Sequence, residues 1–157
     1  MATEATGAKF DEHFWKSLPS MTDYFSPAIK PLQEYLGVGS KEMMFQMGLF
    51  LGQRAAEMEV SPSAEEMLKN LVKVWDRNEL GHLEIASLDP VTLVITDCRI
   101  CGQLAGSGDR YECAFHEGFF QGALSAKLGK PVELRQETNY EGTAGTWCRR
   151  LVADFSI

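Results

Sequence analysis

The chain has 157 residues, 45% of them apolar, and carries a net charge of −7 at pH 7. A domain of this length buries roughly 70% of the surface that its unfolded chain exposes, so it needs no disulfide to fold. The acidic excess argues against nucleic acid or an anionic membrane as the main partner, because both require clustered Lys and Arg. No apolar run approaches the ~20 residues that span a bilayer, and the start lacks the apolar core of a signal peptide, so we predict a cytoplasmic protein.

The N-terminal part of the chain is predicted to be helical. Residues 1–9 show no apolar periodicity, and we expect them to form a disordered lead before a single domain at 10–157. A long helix from Ser40 to Glu59 carries Gly48 and Gly52 one turn apart. Because glycine costs about 1 kcal/mol in a helix interior, this pair indicates close approach by another backbone or by a ligand.

The rest of the chain alternates helices and strands. The expected elements are a helix opened by the capping box Ser63/Glu66 and ended at Asn78, strands His82–Leu88 and Val91–Thr96, a helix Tyr111–Leu128, and strands Val132–Glu137 and Cys148–Phe155. Asp89-Pro90 provides the tight turn of the first strand pair. The predicted fold is therefore α+β: N-terminal helices packed on a four-stranded antiparallel sheet, with a helix between strands 2 and 3.

Four cysteines suggest a metal site. Cys98 and Cys101 are separated by two residues, a spacing that lets both sulfurs bind one tetrahedral metal. Cys113 lies at the start of the predicted Tyr111–Leu128 helix, and a helix N-terminus lowers the pKa of a thiol, which favours the metal-binding thiolate. We predict a structural Zn²⁺ held by four thiolates, with two other residues in reserve: Cys98, Cys101, Cys113 and Cys148, then Glu137 and His116.

The Cys98/Cys101 pair has two other interpretations. Both residues could be small buried hydrophobic side chains without a metal. The pair could also form a reversible disulfide, which would make the protein a thiol redox sensor. The sequence around the pair lacks a thioredoxin-like context.

Aromatic and small residues are concentrated on the predicted helices and on the loop before the last strand. Apolar walls supply most of the binding energy in small-molecule sites, and one or two polar groups orient the ligand. An aromatic stripe at helical spacing is also typical of an ordinary core. The predicted pocket comprises Phe45, Gly48, Gly52, Trp75, Phe115, Gly118, Phe119, Gly122, Tyr140 and Trp147.

The run Cys113-x4-Gly118-Phe119-x2-Gly122, followed by G-x-P at 129–131, resembles the 4-vinyl reductase domain family. The resemblance covers 65–155 well and implies a small-molecule-binding fold, similar to the sensor domain of phenol-responsive activators and to subunits of vesicle-tethering transport particles. It implies hydrophobic ligands, including phenols and chlorophyll precursors. It also implies a homodimer formed through N-terminal helices and output through an unidentified protein partner.

In the phenol-responsive sensors that the chain resembles, the metal is held by a cysteine matching Cys113, an acidic residue near Glu137 and two cysteines eight residues apart. The second of that pair matches Cys148, whereas Asn139 or Tyr140 stands in place of the first. The resemblance therefore leaves two alternatives. Either Cys98 or Cys101 replaces the missing thiol, or the site is vestigial.

An enzyme that reduces a vinyl group needs a hydride source and should bind a nicotinamide or flavin. The glycines at 102, 106 and 108 have the wrong order for a dinucleotide-binding turn. We therefore predict a stand-alone domain that binds a hydrophobic, aromatic or tetrapyrrole-like molecule in a sensing or carrier role. The alternatives are the thiol redox sensor and an accessory protein or reductase acting on a tetrapyrrole vinyl group.

Overall fold

The computed structural model describes residues 31, 34–37, 39–78, 80–96, 114–139 and 148–157, with the backbone alone at 138–139 and 148–149. The disordered lead expected at 1–9 lies outside these ranges. So do five residues of the predicted metal site and pocket: Cys98, Cys101, Cys113, Tyr140 and Trp147.

Besides the helical residues 31 and 34–36, the described fold contains three helices and four strands. In chain order they are α1 (Gly39–Met58), α2 (Ala64–Arg77), β1 (His82–Leu88), β2 (Val91–Thr96), α3 (Phe115–Leu128), β3 (Leu134–Asn139) and β4 (Cys148–Ala153). The strands form one antiparallel sheet in the order β1-β2-β4-β3, with α3 inserted between β2 and β3. The predicted α+β class and element order are confirmed.

The register of the sheet separates a core face from a polar face. Leu93 on β2 pairs with Leu151 on β4, and both side chains are fully buried. On β3, Leu134 is buried, whereas Arg135 and Glu137 are exposed. This alternation follows from the two-residue period of a strand. Helices α2 and α3 lie against the buried face, α2 mainly against β1 and α3 against β3, and α1 packs on α3.

Helix α2 begins as the capping box predicts. The Ser63 side chain accepts a hydrogen bond from the backbone N–H of Glu66 at 3.2 Å, which satisfies one of the first N–H groups of the helix. The helix is strongly amphipathic and buries Met67, Leu68, Leu71 and Trp75 among others. Helix α1 is less amphipathic: apart from Ser40 and Met44 its buried residues are glycine and alanine, and Phe50 on another side is 67% exposed.

Helices α1 and α3 pack backbone against backbone through their glycines. A Cβ atom on Gly48 would overlap the carbonyl oxygen of Phe115, and one on Gly52 would overlap that of Phe119. The contact is reciprocal, since a Cβ on Gly118 or Gly122 would overlap carbonyl oxygens of α1. Small residues at this spacing allow such an approach, and α1 with α3 makes the most extensive helix contact in the described fold.

Several element boundaries differ from the prediction; β3, for example, ends at Asn139 rather than Glu137. Helix α3 begins at Phe115 rather than Tyr111, so Cys113 precedes its N-cap, Ala114, instead of lying in its first turn. Strand β3 begins at Leu134 rather than Val132. Side chains of α3 accept hydrogen bonds from the backbone here: Ser125 Oγ from Val132 N, and Gln121 Oε1 from Leu134 N, the first N–H of the strand. Strand β4 ends at Ala153, after which the Phe155 carbonyl accepts from Val91 N at 2.9 Å.

Candidate functional site

Five aromatic side chains meet where α2 packs against the first turns of α3. We call this group the aromatic cluster: Trp75, Phe115, His116, Phe119 and Phe120. The ring of Trp75 lies edge-on to Phe119, with centroids 5.1 Å apart, and 5.3 Å from Phe120. His116 is 6.0 Å from Trp75 and 5.7 Å from Phe115, measured between ring centroids. Tilted and edge-to-face pairs of this kind each contribute about 0.5–1.5 kcal/mol beyond the burial of their area.

The aromatic cluster contains two polar groups deep in the fold. Trp75 and His116 are each only 1% exposed. Within the described part of the chain, no hydrogen-bond acceptor lies within reach of Trp75 Nε1. A buried donor left without an acceptor costs about 1–3 kcal/mol, so buried tryptophan N–H groups normally find a partner. The indole N–H of Trp75 is therefore positioned to donate to a group that these residues do not supply.

The structure corrects the predicted role of four pocket residues. Gly48, Gly52, Gly118 and Gly122 were expected to leave space beside the aromatic side chains, or to admit a neighbouring backbone. The space at each glycine is filled by the backbone of the opposite helix, as the Cβ overlaps show. These glycines are therefore helix-packing residues. Trp75, Phe115 and Phe119 do come together in the aromatic cluster, whereas Phe45 lies apart from it and lines a surface cleft.

That cleft lies between α3 and β3 and consists of two adjoining depressions of about 530 and 600 Å³. We call it the α3–β3 cleft. Both depressions are lined by Glu117 on α3, by Glu133 and Leu134 at the start of β3, and by Asp154 after β4. The first depression also contains Lys41, Arg135 and Gln136, and the second contains Phe45, Lys130 and Phe155.

The lining of the α3–β3 cleft carries both signs of charge: three carboxylates, on Glu117, Glu133 and Asp154, and three basic side chains, Lys41, Lys130 and Arg135. Burial raises the pKa of Glu117; the positive charge of Lys41 opposes this effect, and the negative charge of Glu133 adds to it. Glu117 is half-buried, so its charged form is less well solvated than a surface carboxylate. On β3, the side-chain oxygen of Gln136 is buried and receives no hydrogen bond from any described residue.

The predicted metal ligands are only partly within the described structure. Glu137 is exposed on β3 and pairs with Arg135 at 3.3 Å and Arg150 at 3.6 Å. Asn139, one of the two positions where the resemblance expects a thiol, lies directly opposite Cys148 in the β3–β4 register. Among the described residues, no three His, Cys, Asp or Glu side chains are close enough to hold a metal ion. The reserve ligand His116 belongs to the aromatic cluster.

Sequence patterns predicted neither the α3–β3 cleft nor a cluster of polar side chains around Glu59. Glu59, at the end of α1, is buried and accepts hydrogen bonds from Ser61 N and from Asn70 Nδ2, while Lys127 on α3 lies 4.0 Å away. Burial raises the pKa of Glu59, but the hydrogen bonds from Ser61 and Asn70, with the charge of Lys127, outweigh it and lower the pKa overall. Ser61 is a sequence neighbour of Glu59, but Asn70 and Lys127 are too far from it in the sequence for a local pattern to connect them.

No protein-family profile matches the chain, so membership of the 4-vinyl reductase family stays a proposal. An uncharacterised protein of Methanocaldococcus jannaschii, MJ1642, is 25% identical over 119 residues, which are 75% of this chain and 67% of that protein. None of the helices in the described ranges is both long and apolar enough to cross a membrane.

A solved structure resembles the chain over most of its length. It is the crystal structure of the phenol-responsive sensory domain of the transcription activator PoxR with phenol, with a TM-score of 0.67 and 20% identity. The match covers 84% of this chain and 73% of that one. It confirms, at the level of the fold, the predicted similarity to the sensor domain of phenol-responsive activators. The chain therefore shares its fold with that sensory domain.

Proposed function

We propose that the protein is a small-molecule-binding domain with a sensing role, and that its ligand is a hydrophobic aromatic compound held against the aromatic cluster. The observation that carries this proposal is the indole N–H of Trp75, which is buried and has no acceptor among the described residues. The sensory-domain fold supports the same function.

The chemistry of the aromatic cluster favours a phenol-like molecule. Aromatic side chains offer apolar and edge-to-face contacts to a ring, and a single N–H donor can orient one oxygen of the ligand. A ligand oxygen would satisfy Trp75 Nε1, which removes the cost of a buried unpaired donor. A plain hydrocarbon ring gains the same apolar contacts but leaves this donor unpaired. We therefore expect phenol to bind more tightly than toluene.

The test compares phenol and toluene on the wild-type protein and on two variants. Trp75→Phe keeps an aromatic ring but removes the donor, and Trp15→Phe is a matched control outside the predicted site. Calorimetric titration should show phenol affinity falling about tenfold in Trp75→Phe, as expected for a lost hydrogen bond of about 1–1.5 kcal/mol. Toluene affinity should change little. At a hundredfold excess over Kd, the ligand should stabilise the wild-type fold by about 2.7 kcal/mol.

Two results would contradict the proposal. The first is that neither phenol nor toluene binds or raises the Tm. The second is that Trp75→Phe weakens both ligands equally, because this would assign Trp75 a packing role without hydrogen bonding. A porphyrin precursor included in the same titration tests the tetrapyrrole-like ligand and, with it, the carrier or reductase-accessory alternative.

The zinc site is a separate proposal. Its support is chemical, because four thiols at these spacings match the ligand set of a structural zinc site. Three of them, Cys98, Cys101 and Cys113, lie outside the described residues. The redox pair Cys98/Cys101, the homodimer, a protein partner and the cytoplasmic location likewise remain predictions.

A further inference from the structure

We propose that two copies of the chain associate through the outer side of α1, with the two α1 helices packed antiparallel about a two-fold axis. The contact surface is a row of five residues, which we call the α1 stripe: Leu36, Met43, Met47, Phe50 and Arg54. Three features of these side chains support the association: their exposure, their spacing and their charge. None of the three depends on which ligand the aromatic cluster binds.

Exposed apolar side chains are concentrated at α1. In the described part of the chain, four large apolar side chains are exposed, and all of them lie in α1 or next to its ends: Tyr35, Leu36, Phe50 and Val60. A single exposed apolar side chain is ordinary on a protein surface, whereas several on one element mark an interaction surface. The outer side of α1 is therefore a candidate interface.

The spacing of the α1 stripe places it opposite the contact with α3. Gly48 lies against the α3 backbone, and Phe50 is turned about 200° from it around the helix. From Met43 to Arg54 the stripe residues follow at intervals of four, three and four residues, the spacing of seam residues in a pair of packed helices. Leu36 extends the row, because its Cβ would lie 3.8 Å from a Cβ placed on Gly39.

The charges of the stripe match those of a second, antiparallel copy. With the two-fold axis between Met47 and Phe50, each Met47 would face the Phe50 of the other copy, and Arg54 would face the turn that contains Glu42. Arg54 pairs with Glu57 of its own helix at 2.9 Å, and its guanidinium has further N–H donors for Glu42 of the other copy. A parallel pair would instead place like charges against each other, which is unfavourable.

The size of the stripe predicts a weak dimer. Helix α1 has 20 residues and is therefore about 30 Å long, so a strip about 12 Å wide along it covers roughly 360 Å². A standard interface covers about 800 Å² on each partner. Contacts between the methionine sulfur and the phenylalanine ring add a modest attraction at the centre. We therefore expect a reversible dimer with a Kd in the micromolar range.

The first test is sedimentation of the wild-type chain and of two variants over roughly 1–100 µM, the range in which a weak dimer dissociates. The mean mass of the wild type should rise from that of one chain towards that of two. Phe50→Glu should raise the dimer Kd by about tenfold or more, because it brings two charges into the centre of the contact. Val60→Glu is the matched control, since Val60 is 66% exposed but lies beyond the end of α1. It should leave the Kd unchanged.

A charge exchange tests the antiparallel arrangement. Arg54→Glu and Glu42→Arg should each raise the dimer Kd roughly three- to tenfold, because each dimer would contain two such partly exposed ion pairs. The double variant Glu42→Arg/Arg54→Glu places opposite charges across the interface again, and its Kd should return close to the wild-type value. Only an interface in which both residues belong to each partner predicts this recovery.

Three results would overturn the proposal. The first is the mass of a single chain at every concentration. The second is an equal effect of Phe50→Glu and Val60→Glu, or a double variant that dimerises no better than the single ones. The third is a lower Tm of Phe50→Glu without a change in mass, because a segment of the same chain would then cover the stripe. These measurements use no ligand, so they succeed or fail independently of the phenol titration.

Discussion

Replacing Gly52 with alanine should destabilise the protein, although the same change usually stabilises a helix. In a helix interior, alanine is favoured over glycine by about 1 kcal/mol. At position 52, however, the new Cβ would overlap the carbonyl oxygen of Phe119 and lie 2.7 Å from its carbonyl carbon, whereas ordinary contact begins at 3.4 Å. The two helices must therefore separate by at least about 0.7 Å to clear the carbon, and by more to clear the oxygen.

The size of this separation determines how much stability we expect Gly52→Ala to lose. A gap of about 0.5–1 Å forfeits roughly a quarter to a half of the attraction between each pair of contacting atoms. Overpacking of a tight site typically costs ~1–3 kcal/mol, and backbone atoms cannot move aside as a flexible side chain can. We expect a net loss of about 2 kcal/mol, which lowers the Tm by roughly 4–8 °C in a chain of this size.

Thermal and urea unfolding of Gly52→Ala and Gly39→Ala together test the argument. Gly39 is also in α1, but its Cβ would meet only the Leu36 side chain at 3.8 Å, an ordinary contact. Gly39→Ala should therefore be neutral or slightly stabilising. If Gly52→Ala keeps the wild-type Tm but loses ligand affinity, Gly52 lines a pocket and the helix-packing assignment is wrong.

Two further predictions concern Glu59 and the thiols. Glu59→Gln should cost roughly 2–3 kcal/mol at neutral pH, because the substitution removes charged hydrogen bonds in a buried site. Since the pKa of Glu59 is lowered from 4.5 in the folded protein, its contribution is present above that value and lost as the pH falls through the folded pKa. The difference in unfolding free energy between wild type and variant, measured by urea unfolding, should thus narrow as the pH falls below 4.5; a constant difference would contradict this assignment. For the thiols, protein purified without chelator should contain bound zinc, and a chelator should lower its Tm. Metal analysis that finds no zinc or iron would rule the site out.

Local sequence patterns predicted the elements whose ends depend on nearby residues. Ser63 and Glu66 set the start of α2, and the Asp89-Pro90 turn sets both strands of the β1–β2 hairpin. The starts of α3 and β3 were predicted less accurately, because they depend on tertiary contacts. The N–H of Val132 is taken by Ser125 seven residues earlier, and no strand pattern contains that information.

For the candidate sites too, sequence patterns predicted local relations between residues but not tertiary contacts. Helical spacing predicted that Phe115 and Phe119 share a surface, and the aromatic cluster contains both. The glycines were equally consistent with a ligand or a neighbouring backbone, because the sequence does not say which helices pair. The cleft was missed because Glu117 and Asp154 are far apart in the chain, and each resembles an ordinary surface charge.

The glycine contact between α1 and α3 also has a mechanical consequence. Since carbonyl oxygens of each helix lie against the Cα atoms of the other, the helices cannot slide past one another without overlap of their backbones. If the first turns of α3, where Phe115 and His116 lie, were displaced, α1 would therefore move with them as a rigid body. The side of α1 that bears the exposed Phe50 would transmit the displacement to the molecular surface without relying on any flexible side chain.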